Sequence, residues 1–222
     1  MSTECMNIKE ERALKSARNS YCYALDDLKG RFEKGEDVIS ESAHYSYRYA
    51  LSILKGRFEK GEGIISESAE YSYCYAHAIL NGRFEKGENI ISKSAEFSYH
   101  YARFVLMNRF EKGEDAISKN AYYSYTYASY VLKDRFEKGE NVISKSPHYS
   151  YNYARAVLKG RFEKGENAIS KDADYSKFYR ENIYDAEKKL KKKLEKKLEK
   201  EIKELKDLKD STPVYYLYGM EI

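Results

Sequence analysis

Between Ala43 and Leu54 the apolar positions fall into two stripes at helical spacing: Ala43, Tyr47, Ala50 and Leu54 on one face, Tyr45, Tyr49 and Ile53 on a second beside it. Tyr45, Tyr47 and Tyr49 alternate as a strand would, but the wider window keeps the helical period. The spacing therefore predicts a helix over 43–55. Ser42 and its equivalents Ser68, Ser94, Asn120, Ser146 and Asp172 are all able to accept from the free amides of a helix start, and Pro147 follows one of them where a missing N–H costs nothing. The same helix is expected to stop in the left-handed conformation at Gly30, Gly56, Gly82, Asn108, Asp134 and Gly160. A shorter helix is predicted over about 32–40, with Phe32, Gly35 and Ile39 on one stripe and Val38 beside it. A glycine inside it implies that another backbone approaches closely there.

These two helices recur. The hexapeptide Arg-Phe-Glu-Lys-Gly-Glu begins at Arg31, Arg57, Arg83, Arg109, Arg135 and Arg161, so it returns every 26 residues without an insertion. A fixed period of this size marks a stack of supersecondary units that bury their apolar faces only against one another. The predicted fold is all-α: an α-solenoid of stacked two-helix 26-residue repeats with a long C-terminal helix. In the first long helix Asn19 and Asp27 stand where the template has Tyr45 and Ile53; in the last, Lys177 and Arg180 replace the Tyr and Ala of the other face. The Tyr47 face is therefore expected to look toward the following unit, and the face of Tyr45, Tyr49 and Ile53 toward the preceding one.

The ends extend the array. Asn7–Lys29 contains no breaker and reads as one continuous capping helix, giving an N-terminal cap over 1–30 and the array over 31–172. From 173 to about 210 a capping and extended amphipathic helix is predicted, with Ile183, Leu190, Leu194, Leu198, Ile202, Leu205 and Leu208 as its stripe. A tail follows over 211–222. Three covers are open for the stripe: a second copy in a homodimer, the tail Val214–Ile222 folded back, or another partner.

Composition narrows the chemistry. Tyr is the outlier, at 24 copies with no Trp, and 40 Lys and Arg against 36 Asp and Glu leave a net charge of +4, too weak to imply nucleic acid or membrane by itself. The three cysteines, Cys5, Cys22 and Cys74, form no disulfide framework and read as reduced thiols in a cytoplasmic protein. No run approaches a membrane span, and Met1–Arg12 is too polar for a signal peptide. Catalysis is not expected, because the prominent polar residues are copied in all six units whereas an active site needs one asymmetric constellation. Gly30–Gly35 has the glycine spacing of a phosphate loop, but Glu36 and Asp37 follow where Lys and Ser or Thr are required. No cofactor is implied.

Two candidate surfaces remain. Arg31, Arg57, Arg83, Arg109, Arg135 and Arg161 form a ladder that, interleaved with tyrosines, fits single-stranded nucleic acid; the plainer reading is a charge-neutral motif in which Arg31 and Glu36, flanking the stripe of the short helix, pair with each other's neighbours or with Tyr hydroxyls. The other surface is the set of positions that change between units, at 44, 48, 51 and 55 and their equivalents. It holds all four histidines, His44, His77, His100 and His148, with Arg48, Arg103, Tyr122 and Arg155. Of the histidines only His77 and His100 are expected near each other, so no metal site is predicted. The positions are either a solvated face or one selected for a partner.

The repeat R-F-E-K-G-E-x-x-I-S-K-S-A-x-Y-S-Y-x-Y-A-x-x-V-L-K-G resembles, over about residues 17–180, those of uncharacterised bacteriophage tandem-repeat proteins. Their repeats often carry Pro after the Phe and an Asp-Pro helix start, where this chain has Glu33 and mostly Ser-Ala. The resemblance implies a viral protein acting inside a bacterium and carries no site residues with it. The expected function is a non-enzymatic scaffold that binds a host protein, such as a defence factor, with nucleic-acid binding through the Arg/Lys/Tyr ladder and the Lys-rich C-terminal helix Lys188–Lys209 as the alternative.

Overall fold

The computed structural model describes residues 3–211, with side chains for 8–208, so the expectation for the tail Val214–Ile222 lies outside the described residues. Within them all regular structure is helical. Each unit contributes a short helix and a longer one. The short helices are α1 (Thr3–Ala13), α3 (Glu36–Ile39), α5 (Glu62–Ile65), α7 (Glu88–Ile91), α9 (Glu114–Ile117), α11 (Glu137–Ile143) and α13 (Glu163–Ile169). The longer ones are α2 (Ala17–Cys22), α4 (Ala43–Tyr49), α6 (Ala69–Tyr75), α8 (Ala95–His100), α10 (Ala121–Tyr127), α12 (Pro147–Tyr153) and α14 (Ala173–Tyr179), each running on through a π turn such as Ala50–Leu54. The last continues as α15 (Asp185–Ser211). Successive long helices pack side by side, α2 on α4 through to α12 on α14, which makes the molecule a helical-repeat solenoid.

The caps form as the sequence predicts: Ser42, Ser68, Ser94, Asn120, Ser146 and Asp172 each accept an amide of the first turn, and Pro147 opens its helix. The stops do not. The left-handed residues are Lys29, Lys55, Asn81, Met107, Lys133 and Lys159, each one position before the expected one, and among the described residues no glycine has a positive φ. The cause is the π turn, whose extra residue brings both Lys55 N–H and Gly56 N–H onto the Ala50 carbonyl.

The core repeats with the sequence. Phe58, Ile65, Tyr75 and Ala76 are at most 3% exposed, as are their equivalents in the central units. Each Phe or Ile so buried contributes roughly 1.5–3 kcal/mol. Gly61 faces not another backbone, as expected, but the Phe58 ring and the Ser46 side chain; a Cβ there would lie 2.5 Å from the ring and 2.7 Å from Ser46 Cβ. Ser46 in turn donates to the Ile39 carbonyl at 3.0 Å, tying the long helix to the short one before it.

Tyrosine seams join the units. Tyr47 meets Tyr71 of the following unit at 6.0 Å between centroids, and Tyr45 meets Tyr21 of the preceding one at 5.8 Å, in the directions read from the chain ends. Tyr49 departs from its assigned face. It is completely buried, its ring against Phe58 of the following unit at 5.2 Å and its hydroxyl on the short helix of its own unit. The π turn also shifts the outward positions that follow it.

The N-terminal segment is not one helix. It breaks at Leu14–Ser16, where Ser16 caps α2 and Ser20 donates to the Ala13 carbonyl at 2.9 Å, the same bond that Ser46 makes to Ile39. Glu10 takes Lys34 of the next unit at 2.5 Å. Thus α1 and α2 make a seventh two-helix unit, in which Glu10, Ala13 and Ser16 stand one period before Glu36, Ile39 and Ser42. At the far end α14 runs into α15 to Ser211, close to the expected 210.

Candidate functional site

The long helices carry the variable positions outward, and the structure sorts them into three groups. At one end His44 Nδ1 lies 2.9 Å from Tyr71 Oη across the unit boundary, and the Arg48 guanidinium sits 5.8 Å from the Tyr21 ring centre. Four units on, His148 Nδ1 lies 2.6 Å from Tyr175 Oη, while Arg155 rests 5.7 Å from Tyr151. His44 and His148 therefore latch neighbouring units by one shared geometry. Tyr122, in the same place on α10, reaches Tyr149 of the next unit at 6.2 Å.

The central units bring the remaining residues together. His77 stacks on Tyr73 at 5.7 Å, and His100 packs on the same ring from the next unit, also at 5.7 Å. Phe104 lies within 6.4 Å of His77 and 5.9 Å of His100. Arg103 is set among three rings, 4.3 Å from Tyr130, 5.1 Å from Phe104 and 5.7 Å from Tyr99, and donates to the Tyr99 hydroxyl. Burial pushes the His100 imidazole below its ordinary range; Glu96 opposes this and Arg103 adds to it. The result is a partly exposed aromatic and cationic patch on α6, α8 and α10 and the π turns that follow them, with Phe104 42% and Tyr130 52% exposed. Neither residue was among the expected ones. They occupy the position of Ser52, Ala78 and Ala156, which also changes from unit to unit and so carried a readable signal.

The arginine ladder is differently placed. Arg83 donates through Nε and Nη2 to the two oxygens of Glu88 at 2.5 and 3.1 Å; Arg31, Arg57, Arg109, Arg135 and Arg161 do the same to the Glu five residues on. Glu88 is 1% exposed and also receives Lys112 of the next unit at 3.0 Å and the Tyr101 hydroxyl, which itself accepts from Phe84 N–H. Burial alone would raise the carboxyls of Glu62, Glu88 and Glu140, but the bonds from Arg and from the next unit's Lys outweigh it and hold them below the ordinary range. A second glutamate stands 3.7–4.0 Å from Arg31, Arg57, Arg109 and Arg135. The ladder is thus a row of charge-compensated pairs within each unit, and at Glu62, Glu88 and Glu140 the lysine of the next unit joins the same carboxylate across the boundary.

No family model matches the chain, and neither curated proteins nor solved structures give a match. The geometry therefore carries the reading alone. Among the described residues no helix is long and apolar enough to cross a membrane, and no group of three or more His, Cys, Asp or Glu side chains is placed to hold a metal ion. The last glutamate of the ladder differs from the rest. Glu166 keeps Arg161 and Tyr179, but the position one period after Lys164 is Leu190, and a cavity of about 330 Å³ opens there between Ile169, Tyr179, Arg180 and Tyr184.

Proposed function

We propose that this chain is a non-enzymatic scaffold that presents the outward face of its long helices to a macromolecular partner, with the patch of His77, His100, Arg103, Phe104 and Tyr130 at its centre. One observation carries the reading: six near-identical units differ mainly on this face, and at its middle they differ toward exposed rings around a partly buried guanidinium. Tyr and Arg in such settings supply most of the affinity at protein interfaces. The likeness of the repeat to those of phage tandem-repeat proteins supports a bacterial host protein as partner, such as a defence factor inhibited or sequestered in the cytoplasm. The arginine ladder, each member bonded to a glutamate, offers nucleic acid little uncompensated charge, which favours the protein reading over the alternative.

The test compares the chain with its Arg103→Ala, Phe104→Ala, Tyr130→Ala triple variant as bait in host lysate, followed by titration of any retained protein after purification. Loss of affinity by about tenfold or more is expected. Unchanged affinity in the triple variant, or binding only to single-stranded nucleic acid with a steep salt dependence, would overturn the reading.

A further inference from the structure

Helix α15 leaves the array as an amphipathic rod. Leu190, Leu194, Leu198, Ile202 and Leu205 lie on one stripe and are 57, 57, 58, 44 and 66% exposed. From Leu190 to Leu205 the stripe is about 22 Å long at 1.5 Å per residue. Five large apolar side chains aligned on a single face form a surface that association would cover.

The flanks of the stripe say which occupant fits. Along one edge the residues are Lys193, Lys197, Glu201 and Glu204; along the other they are Glu195, Glu199, Lys203 and Lys206. Each edge changes sign half-way, and the two edges are opposite to each other at every level. A second copy brought onto the stripe therefore finds Lys against Glu whether its opposite edge lies alongside in parallel or its own edge lies reversed. The same edges carry four lysines and four carboxylates, so the flanks of the stripe are charge-neutral and offer an anionic membrane or a nucleic acid no net attraction, whereas a second copy meets each charge with its opposite.

We infer that α15 is a homodimerisation element, with the stripe from Leu190 to Leu205 buried against the same stripe of a second copy. The dimer carries two copies of the outward face, so a partner that is itself multivalent is held by both at once. The inference stands apart from the proposed partner binding, because it concerns a different element and is read by mass.

Sedimentation of the full chain tests it. The weight-average mass is expected to rise from 26.0 kDa toward twice that value as concentration increases across the micromolar range. The Leu194→Glu, Leu198→Glu double variant is expected to remain monomeric throughout, with unchanged helical circular dichroism. The Lys193→Glu, Lys197→Glu variant, which keeps every leucine, is expected to dissociate at least about tenfold more readily, since the mutated edge is then acidic throughout and meets Glu195 and Glu199 of a parallel copy or its own carboxylates in a reversed one. A wild-type chain that stays monomeric overturns the inference. So does a double variant that dimerises as the wild type does, a dimer that appears only after residues 212–222 are deleted, or a monomer that co-sediments with phosphatidylglycerol vesicles.

Discussion

A methyl group would have opposite effects at two neighbouring glycines, Gly61 at the N-cap of α5 and Gly63 in its first turn. At Gly61 an added Cβ would lie 2.5 Å from Phe58 Cδ1 and 2.7 Å from both Cβ and Oγ of Ser46, whose equivalents from Ser20 to Ser150 hold the same bond to the preceding short helix. Gly61→Ala is expected to lower stability by about 1–3 kcal/mol through overpacking. At Gly63 nothing lies within 4 Å, so Gly63→Ala is expected to raise stability by about 0.5–1 kcal/mol through a stiffer unfolded chain. Urea titrations of the two variants measure both, and a change of the same sign would be inconsistent with this packing. The glycine was legible as a crowded position, but not what crowds it, since the serine that does so sits fifteen residues earlier in the long helix before it. The caps were fully legible because a cap is a local bond between a side chain and an amide three residues on. The stops were misplaced by one residue because a π turn leaves no trace in apolar spacing. The same extra residue hid Phe104 and Tyr130, whose outward direction depends on it.

At the scale of the element, the tie between one short helix and the next is a buried carboxylate. Glu88→Ala removes the acceptor for Arg83, Lys112 and Tyr101 together, and is expected to cost about 2–3 kcal/mol because Tyr101 is left buried without its acceptor. Glu85→Ala in the same motif changes an exposed side chain and is expected to stay within about 0.5 kcal/mol. Thermal and chemical unfolding of both variants checks the difference; equal effects would remove the carboxylate from its role. That each motif compensates its own charge was readable from its composition, but not that the Arg closes on the Glu five residues on, because that contact depends on the turn between them. The break in the first helix was readable only by setting Glu10, Ala13 and Ser16 against Glu36, Ile39 and Ser42, an alignment obscured because Ile8 and Lys9 stand where the motif has Lys and Gly.

At the scale of the whole molecule, one set of titrating groups is copied along the array, so pH acts on all units together. The carboxyls of Glu62, Glu88, Glu140 and Glu166 are depressed, so their stabilisation is complete above the ordinary glutamate range, about 4.3, and is lost as pH falls through their lower folded values. Burial raises the hydroxyls of Tyr49, Tyr75, Tyr101, Tyr153 and Tyr179 to about 12; there the neutral form is the native one, stability is full below about 10, and it is lost as pH rises toward 12. The unfolding temperature is expected to hold a plateau between about pH 5 and 10 and to fall steeply on both sides. A decline beginning near pH 7 would mean that neither set governs the array.

Lys112 reaches Glu88 by the same contact that joins Lys86 to Glu62 and Lys164 to Glu140, and Lys60 and Lys138 take the adjoining Asp37 and Asp115, so the buried ties at successive junctions are close to interchangeable. A gene coding for such a chain tolerates crossover between its own copies: exchange in register adds or deletes one module and leaves every remaining junction, and both stoppered ends, intact. The reach of the molecule is then adjustable in single steps by recombination, while the residues on its outward face drift by point change, two heritable variables that do not interfere.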